Sequence, residues 1–160
     1  MRRISFILAV AALCLGIPSA MLAADENPNV GTWKLNLEKS KYPAGQAPKS
    51  LTRTVTADGD NVKYSFEGQA ADGSALAYSF TVQYGEKDYE VTGSAPYGAD
   101  HISIKRVNSH QYAATLKKGD KVVGTSHTTV SHDGKMATLN GKGTDKDGKP
   151  VKTLQIYDKQ

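Results

Sequence analysis

Cysteine is all but missing from this chain. Among 160 residues there is one, Cys14, and it lies inside an apolar N-terminal run, directly after Leu13. The run, Ile4 to Ile17, follows Arg2 and Arg3 and leads into a small-residue stretch opened by Pro18 and Ser19. That is the three-part pattern of a secretory signal peptide. The run is shorter than the roughly 20 residues a helix needs to span a bilayer, which weighs against an uncleaved anchor. Residues 1–24 therefore read as an export signal, cleaved near residues 23–24. Residues 25–160 read as a single domain, periplasmic or secreted, with no membrane span in the mature form. With Cys14 removed the mature chain has no thiol. Thiol nucleophiles, disulfides and Cys-ligated metals are then excluded from it.

Long runs of one charge sign are missing too. Without Arg2 and Arg3 there are eighteen basic residues against sixteen acidic ones, and no basic run exceeds Lys117-Lys118. Nucleic-acid binding draws on a clustered basic footprint, so no nucleic-acid partner is expected. Nor does any amphipathic helical stretch appear that could serve as a crossover, which argues against parallel βαβ units.

What the chain has instead is alternation with a period of two, punctuated by Gly, Asp and Asn. Trp33, Leu35 and Leu37 form the first apolar set. Leu51, Arg53 and Val55 form the next, then Val62, Tyr64 and Phe66. Leu76, Tyr78, Phe80, Val82 and Tyr84 follow, then Tyr89 and Val91, then Ile102, Ile104 and Arg106. Tyr112, Ala114 and Leu116 come next, and residues 121–131, Met136 to Lys142 and Val151 to Asp158 complete the series. Asp58-Gly59, Asp72-Gly73, Asp133-Gly134 and Asp147-Gly148 supply residues that tolerate tight hairpin turns. The expected fold is all-β: an antiparallel up-and-down meander of about ten strands. One apolar face has to be hidden, either by closing the sheet into a barrel or by packing it as a β-sandwich. The absence of an obvious Greek-key crossover favours the barrel, which also removes exposed edges. Residues 38–50 and 93–100 break the pattern. Either loop would suit an overhang at an open barrel mouth, with 93–100 reading more as a plain surface connection.

Gly31-Thr32-Trp33-Lys34-Leu35 resembles the opening of the calycin barrels, the lipocalins with their first-strand G-x-W and the fatty-acid-binding proteins that often begin G-T-W-K-L. With Asn36, Lys39-Ser40-Lys41-Tyr42 and the closing Tyr157-Asp158-Lys159, the chain also resembles small secreted bacterial proteins that open G-T-W-K-L-N-x-x-K-S-K-[FY]. That second likeness runs over most of the mature chain and brings no activity with it. The calycin likeness implies a barrel holding a small apolar or amphipathic molecule in its cup, with Trp33 at the barrel base. The chain departs from both calycin groups: it lacks the lid helices of the fatty-acid-binding proteins, and the flanking helix and disulfide of lipocalins.

The mature chain has sixteen Lys but only two Arg, Arg53 and Arg106, each in phase with apolar neighbours. A buried charge needs acceptors, and a guanidinium suits a carboxylate. Two readings stand for each Arg. It binds an acidic ligand head group, as the resemblance to fatty-acid-binding proteins implies, or it packs on the first-strand Trp as a structural cation–π partner, as the calycin resemblance implies. Tyr64, Tyr78, Tyr84, Tyr89 and Tyr112 occupy the apolar phase of their strands, so Tyr64, Tyr78 and Tyr112 are candidate lining residues. A cavity of that kind suits an amphipathic molecule. An ordinary core with hydroxyls reaching the rim fits the same residues.

No metal or cofactor is expected. His127 and His132 are five apart and face opposite sides of one strand, no H-x-H or H-E-x-x-H occurs, and no Gly-rich phosphate loop is present. Asp58-Gly59-Asp60 and Asp145-Lys146-Asp147-Gly148 read as turns, since neither fits a calcium loop. Asp100-His101 and a serine assemble into a triad only on paper, without a G-x-S-x-G elbow, so no catalytic residue is assigned. The sequence thus reads as a non-catalytic, lipocalin-like exported binding protein. Its rival is a structural or interaction protein of the envelope with a filled barrel core.

Overall fold

The computed structural model describes residues 27–145 and 147–160. The segment read as an export signal lies outside the described residues. The alternation becomes strands for a simple reason: successive side chains point to opposite faces, so each period-two segment offers one apolar face to a common interior. In β3 (Asn61–Gln69), Val62, Tyr64 and Phe66 are buried while Lys63 and Glu67 are exposed. The same division runs through β1 (Gly31–Leu35), β2 (Ser50–Asp58), β4 (Ala75–Val82), β7 (His101–Asn108) and β8 (Gln111–Lys118). β9 (Lys121–Val130), β10 (Met136–Thr144) and β11 (Pro150–Lys159) complete the long strands. Two-residue turns join β2 to β3 and β8 to β9. Gly59 and Gly119 stand in these turns at φ +56, a conformation that costs an L side chain but not Gly.

The sheet order is β5-β7-β8-β9-β10-β11-β1-β2-β3-β4-β6, with antiparallel pairing throughout. The short β5 (Tyr89–Glu90) and β6 (Thr92–Gly93) stand at opposite ends of that order, yet Val91 alone separates them in the chain. One interrupted strand thus bridges β4 to β7 and leaves a nearly closed meander barrel rather than a sandwich. The break explains why about ten expected strands become eleven. The Val91 amide donates to the Asp100 carbonyl at 2.8 Å, extending the β5–β7 register by one residue before Thr92 pairs with β4.

β1 is shorter than the alternation implies. It ends at Leu35, and Leu37 is 43% exposed, so Leu37 does not extend the buried set. Asn36 turns the chain: its carbonyl accepts from the Ser40 amide at 3.1 Å, and its side-chain oxygen accepts from the Lys39 amide at 3.1 Å. The short strand leaves the upper half of β11 without a ladder partner on that side. The loop after it fills the gap, with Lys41 and Leu154 exchanging backbone hydrogen bonds of 2.7 and 2.8 Å.

The barrel has two unlike ends. Asn27 to Val30 seal one end beneath Trp33, where the Trp33 indole N–H donates to the Asn29 carbonyl at 2.9 Å. The other end is flanked by the loop after β1 and by residues 94–100.

Candidate ligand-binding site

The interior holds two chambers. The inner one, about 90 Å³, is lined by Arg53, Asn29, Tyr64, Tyr112 and apolar side chains from most of the barrel wall. The outer one, about 580 Å³, lies at the mouth between Tyr42, Pro48, Leu76, Val151 and the 94–98 turn. Tyr78, Pro96, Tyr97 and Gln155 line both.

Arg53 projects inward from β2 because it shares the phase of Leu51 and Val55, and it is 2% exposed. Its guanidinium carbon lies 5.1 Å from the ring centres of both Trp33 and Tyr157. One terminal nitrogen donates to the Asn29 side-chain oxygen at 3.0 Å. Its Nε, also buried, has no partner. Among the described residues Arg53 is the one buried charged side chain, and no carboxylate pairs with it. Burial pushes its pKa down, opposed by the nearby Tyr157 and Tyr64 hydroxyls. A guanidinium nevertheless stays protonated in a protein. The inner chamber therefore carries a net positive charge against neutral walls. Burial raises the Tyr157 phenol pKa, with Arg53 acting against it, so Tyr157 is a neutral hydroxyl and not a counter-ion.

Tyr64 and Tyr112 line the inner chamber with their hydroxyls tied to the sealed end. Tyr64 accepts from the Asn29 side-chain amide at 2.9 Å and bonds Tyr84 at 3.0 Å. Tyr112 donates to the Asn27 side-chain oxygen at 2.7 Å, and the Asn27 amide donates to Tyr84 at 2.9 Å. Tyr78 lines both chambers, stacked on Phe66 at 4.3 Å. Arg106 has a different setting. It stands at the register shift near the end of β7, its Nε donating to the Asn108 carbonyl at 3.3 Å, and it does not line either chamber. The two arginines, alike in sequence phase, are thus not brought together.

Three participants were not legible as such. Asn29 is buried and serves Arg53, Tyr64 and Trp33 at once, but Asn beside Pro reads as a turn. Tyr157 belongs to the expected Val151 to Asp158 strand and to the terminal motif, and neither singles it out as the second aromatic face of Arg53. Tyr97 lies in the 93–100 loop, expected to be a plain surface connection. The loop instead delivers the Tyr97 ring into the mouth, from a backbone position at φ 60, ψ 15. Left-handed backbone costs a residue other than Gly about 1–3 kcal/mol and persists only where the surroundings enforce it. The enforcing contact is visible. A Cβ at Gly124 would lie 2.4 Å from the Tyr97 ring, and one at Gly143 would lie 2.6 Å from it. Gly inside a strand pattern marks close approach of another group, and that signal was available in Gly141-Lys142-Gly143.

Asp100 and His101 do pair, Oδ1 to Nδ1 at 2.8 Å, but on the exposed rim. The Asp100 hydrogen bond holds the His101 pKa above its ordinary value, and the same bond together with the Gly119 amide holds Asp100 low. The pair therefore operates between those two titrations. Its contribution is lost as pH rises through the raised His101 value, and lost again as pH falls through the lowered Asp100 value. An NMR titration of the His101 ring is expected to give a midpoint above that of a free histidine, returning toward it in Asp100→Asn. An unchanged midpoint in that variant would remove the pairing.

No protein-family model matches the chain, and no curated protein matches it in sequence. Among solved structures it is similar to zebrafish ileal bile acid-binding protein complexed with cholic acid, at 11% identity and a TM-score of 0.51. That match covers 83% of this chain and 99% of the other. It is also aligned with lobster apocrustacyanin A1, at 15% identity and a TM-score of 0.44, over 84% of this chain and 62% of the other. The first likeness is one of fold, and it agrees with the antiparallel meander order. The chain folds as a calycin-like barrel.

Proposed function

We propose that the protein is an exported, non-catalytic binder of small amphipathic molecules bearing an acidic group. The observation that carries this reading is Arg53: a buried guanidinium at the wall of a cavity, with an unpaired Nε and no carboxylate partner among the described residues. Truly buried charge without compensation is costly, and cation–π contacts to Trp33 and Tyr157 offset only part of that cost. An anionic oxygen in the inner chamber supplies the rest, while the larger mouth chamber takes an apolar tail. The calycin fold typically holds small hydrophobic molecules, in line with this division.

The test is displacement of the neutral dye N-phenyl-1-naphthylamine from the mature protein, stripped of lipid, by decanoate and by decanol. Decanoate is expected to displace it saturably and roughly ten- to hundredfold more effectively than decanol, the worth of a charge-assisted hydrogen bond. Arg53→Met is expected to remove that preference while leaving decanol little changed. Equal potency of the two in the parent protein would sink the acid-binding reading. One observation favours the envelope-protein alternative: an inner chamber of about 90 Å³ is close to filled. Absence of saturable displacement by either compound would decide for it.

A further inference from the structure

The inner chamber is smaller than the cavity of about 150 Å³ that accepts benzene. Something has to move before a molecule of any size meets Arg53; Tyr78, Pro96, Tyr97 and Gln155 stand between the chambers, and Tyr97 is the one carried there on a loop in a left-handed conformation. Its ring is seated on Gly124 of β9 and Gly143 of β10, where a Cβ would lie 2.4 and 2.6 Å from the ring, and its hydroxyl end lies over Gly141, where a Cβ would meet the Thr153 hydroxyl at 2.6 Å. Its hydroxyl and that of Thr153 thus both border Gly141. From there polar contacts run inward along the interior face of β11. The Gln155 amide donates to Thr153 at 3.3 Å, and Tyr157 donates to the Gln155 oxygen at 2.7 Å. The Tyr157 ring lies 5.1 Å from the Arg53 guanidinium. A ring with a polar tip, fitted into a glycine-floored niche at the edge of a chamber that holds an unpaired buried Nε, has the form of a bound molecule supplied by the chain itself.

We propose that the niche over Gly124, Gly141 and Gly143 is a ring subsite, and that Tyr97 is its built-in occupant. A small phenol takes the niche by displacing Tyr97, placing its ring on the glycine floor and its hydroxyl, the end nearer Arg53, beside Thr153. Displacement joins the two chambers and frees the 96–98 turn from its left-handed residue. The ring subsite goes beyond the proposed function and does not rest on it.

The ring subsite is tested with 4-methylphenol, the tyrosine side chain as a free and uncharged molecule. Tyr97→Gly removes the ring and tolerates the positive φ. This variant is expected to melt several degrees below the parent. Millimolar 4-methylphenol is expected to restore most of the loss saturably, without moving the parent's melting temperature. In Tyr97→Gly with Gly143→Ala the floor is filled and the restoration is expected to vanish. The same response in the parent and in Tyr97→Gly, or undiminished restoration in the double variant, would overturn the proposal. Should Tyr97→Gly not fold, Tyr97→Phe answers the same question. Its ring competes without the hydroxyl that Tyr97 places beside Thr153, so 4-methylphenol is expected to bind it roughly three- to tenfold more tightly than the parent. Equal or weaker binding would overturn the proposal. Because 4-methylphenol carries no acid, restoration that survives alongside a failed decanoate preference refutes the acid reading alone. Loss of restoration with the decanoate preference intact refutes the ring subsite alone.

Discussion

Trp33→Ala is expected to lower stability by about 3–5 kcal/mol, the range for truncating a buried Trp or Phe side chain. Trp33 is fully buried, and its surroundings place the loss toward the upper part of that range. Its ring faces the Arg53 guanidinium at 5.1 Å and the Lys159 ammonium at 5.0 Å. Its N–H holds the Asn29 carbonyl of the segment that seals the base. Removing the ring thus opens a cavity, strips a buried cation of one of its two aromatic faces and unpins the seal. Urea unfolding followed by far-UV circular dichroism measures the effect, since the variant has no Trp fluorescence. A loss below about 1 kcal/mol, typical of an unremarkable surface site rather than of cavity formation, would contradict the packing described. Trp33→Phe keeps an aromatic face for Arg53 and is expected to recover part of the loss.

Asn29→Ala is expected to cost about 2–4 kcal/mol, because Arg53 loses its acceptor and Tyr64 one of its two partners in one step, Tyr84 remaining, and a buried group left unpaired costs about 1–3 kcal/mol, more when charged. The Arg53 terminal nitrogen loses its acceptor at 3.0 Å, and the Tyr64 hydroxyl loses its donor at 2.9 Å. Leaving the Arg53 charge without its one hydrogen-bond acceptor is the larger part. The side chain deleted is small, so packing contributes little and the loss reports the polar network. The two substitutions share Arg53, so their costs are not additive. The double variant is expected to lose less than the two single losses combined. Equality of the two would show that Trp33 and Asn29 act on Arg53 independently.

Much of the fold was legible in local pattern. Val62, Tyr64 and Phe66 alternate with charged or hydroxyl side chains and do face inward. The turns fall at Gly59 and Gly119 where positive φ is needed. Two kinds of error were also local. Leu37 continues the alternation of Trp33 and Leu35, yet Asn36 binds its own neighbours and turns the chain out of the sheet. The stretch at Tyr89 and Val91 reads as one strand, with a loop from Gly93, but it breaks at Val91 and resumes as Thr92–Gly93, because its two halves pair with different neighbours. Side-chain alternation carries no information about such a change of partner.

The candidate site was legible in its residue types and not in its arrangement. Arg53, Tyr64, Tyr78 and Tyr112 share the inner chamber, whereas Arg106, equally in phase, stands at a strand end beside Asn108. Strand phase fixes the face a side chain takes, while depth along the barrel axis follows from the stagger of strands paired far apart in the chain. Tyr97 illustrates the same limit. Its loop resembles any surface connection until β9 and β10 place three glycines beneath it.

The sequence by itself determined the strands, their turns and the scarcity of Arg, because these rest on contacts between near neighbours in the chain. Only the tertiary structure decided that the sheet closes, that Asn29 caps a lone buried Arg, and that Tyr97 fills the passage to it. Closure pairs the last strand with the first, Asn29 reaches Arg53 from ahead of β1, and Tyr97 reaches β9 and β10 from the loop after β6. Closure creates an interior, and an interior with one unpaired charge is what gives this barrel a chemistry.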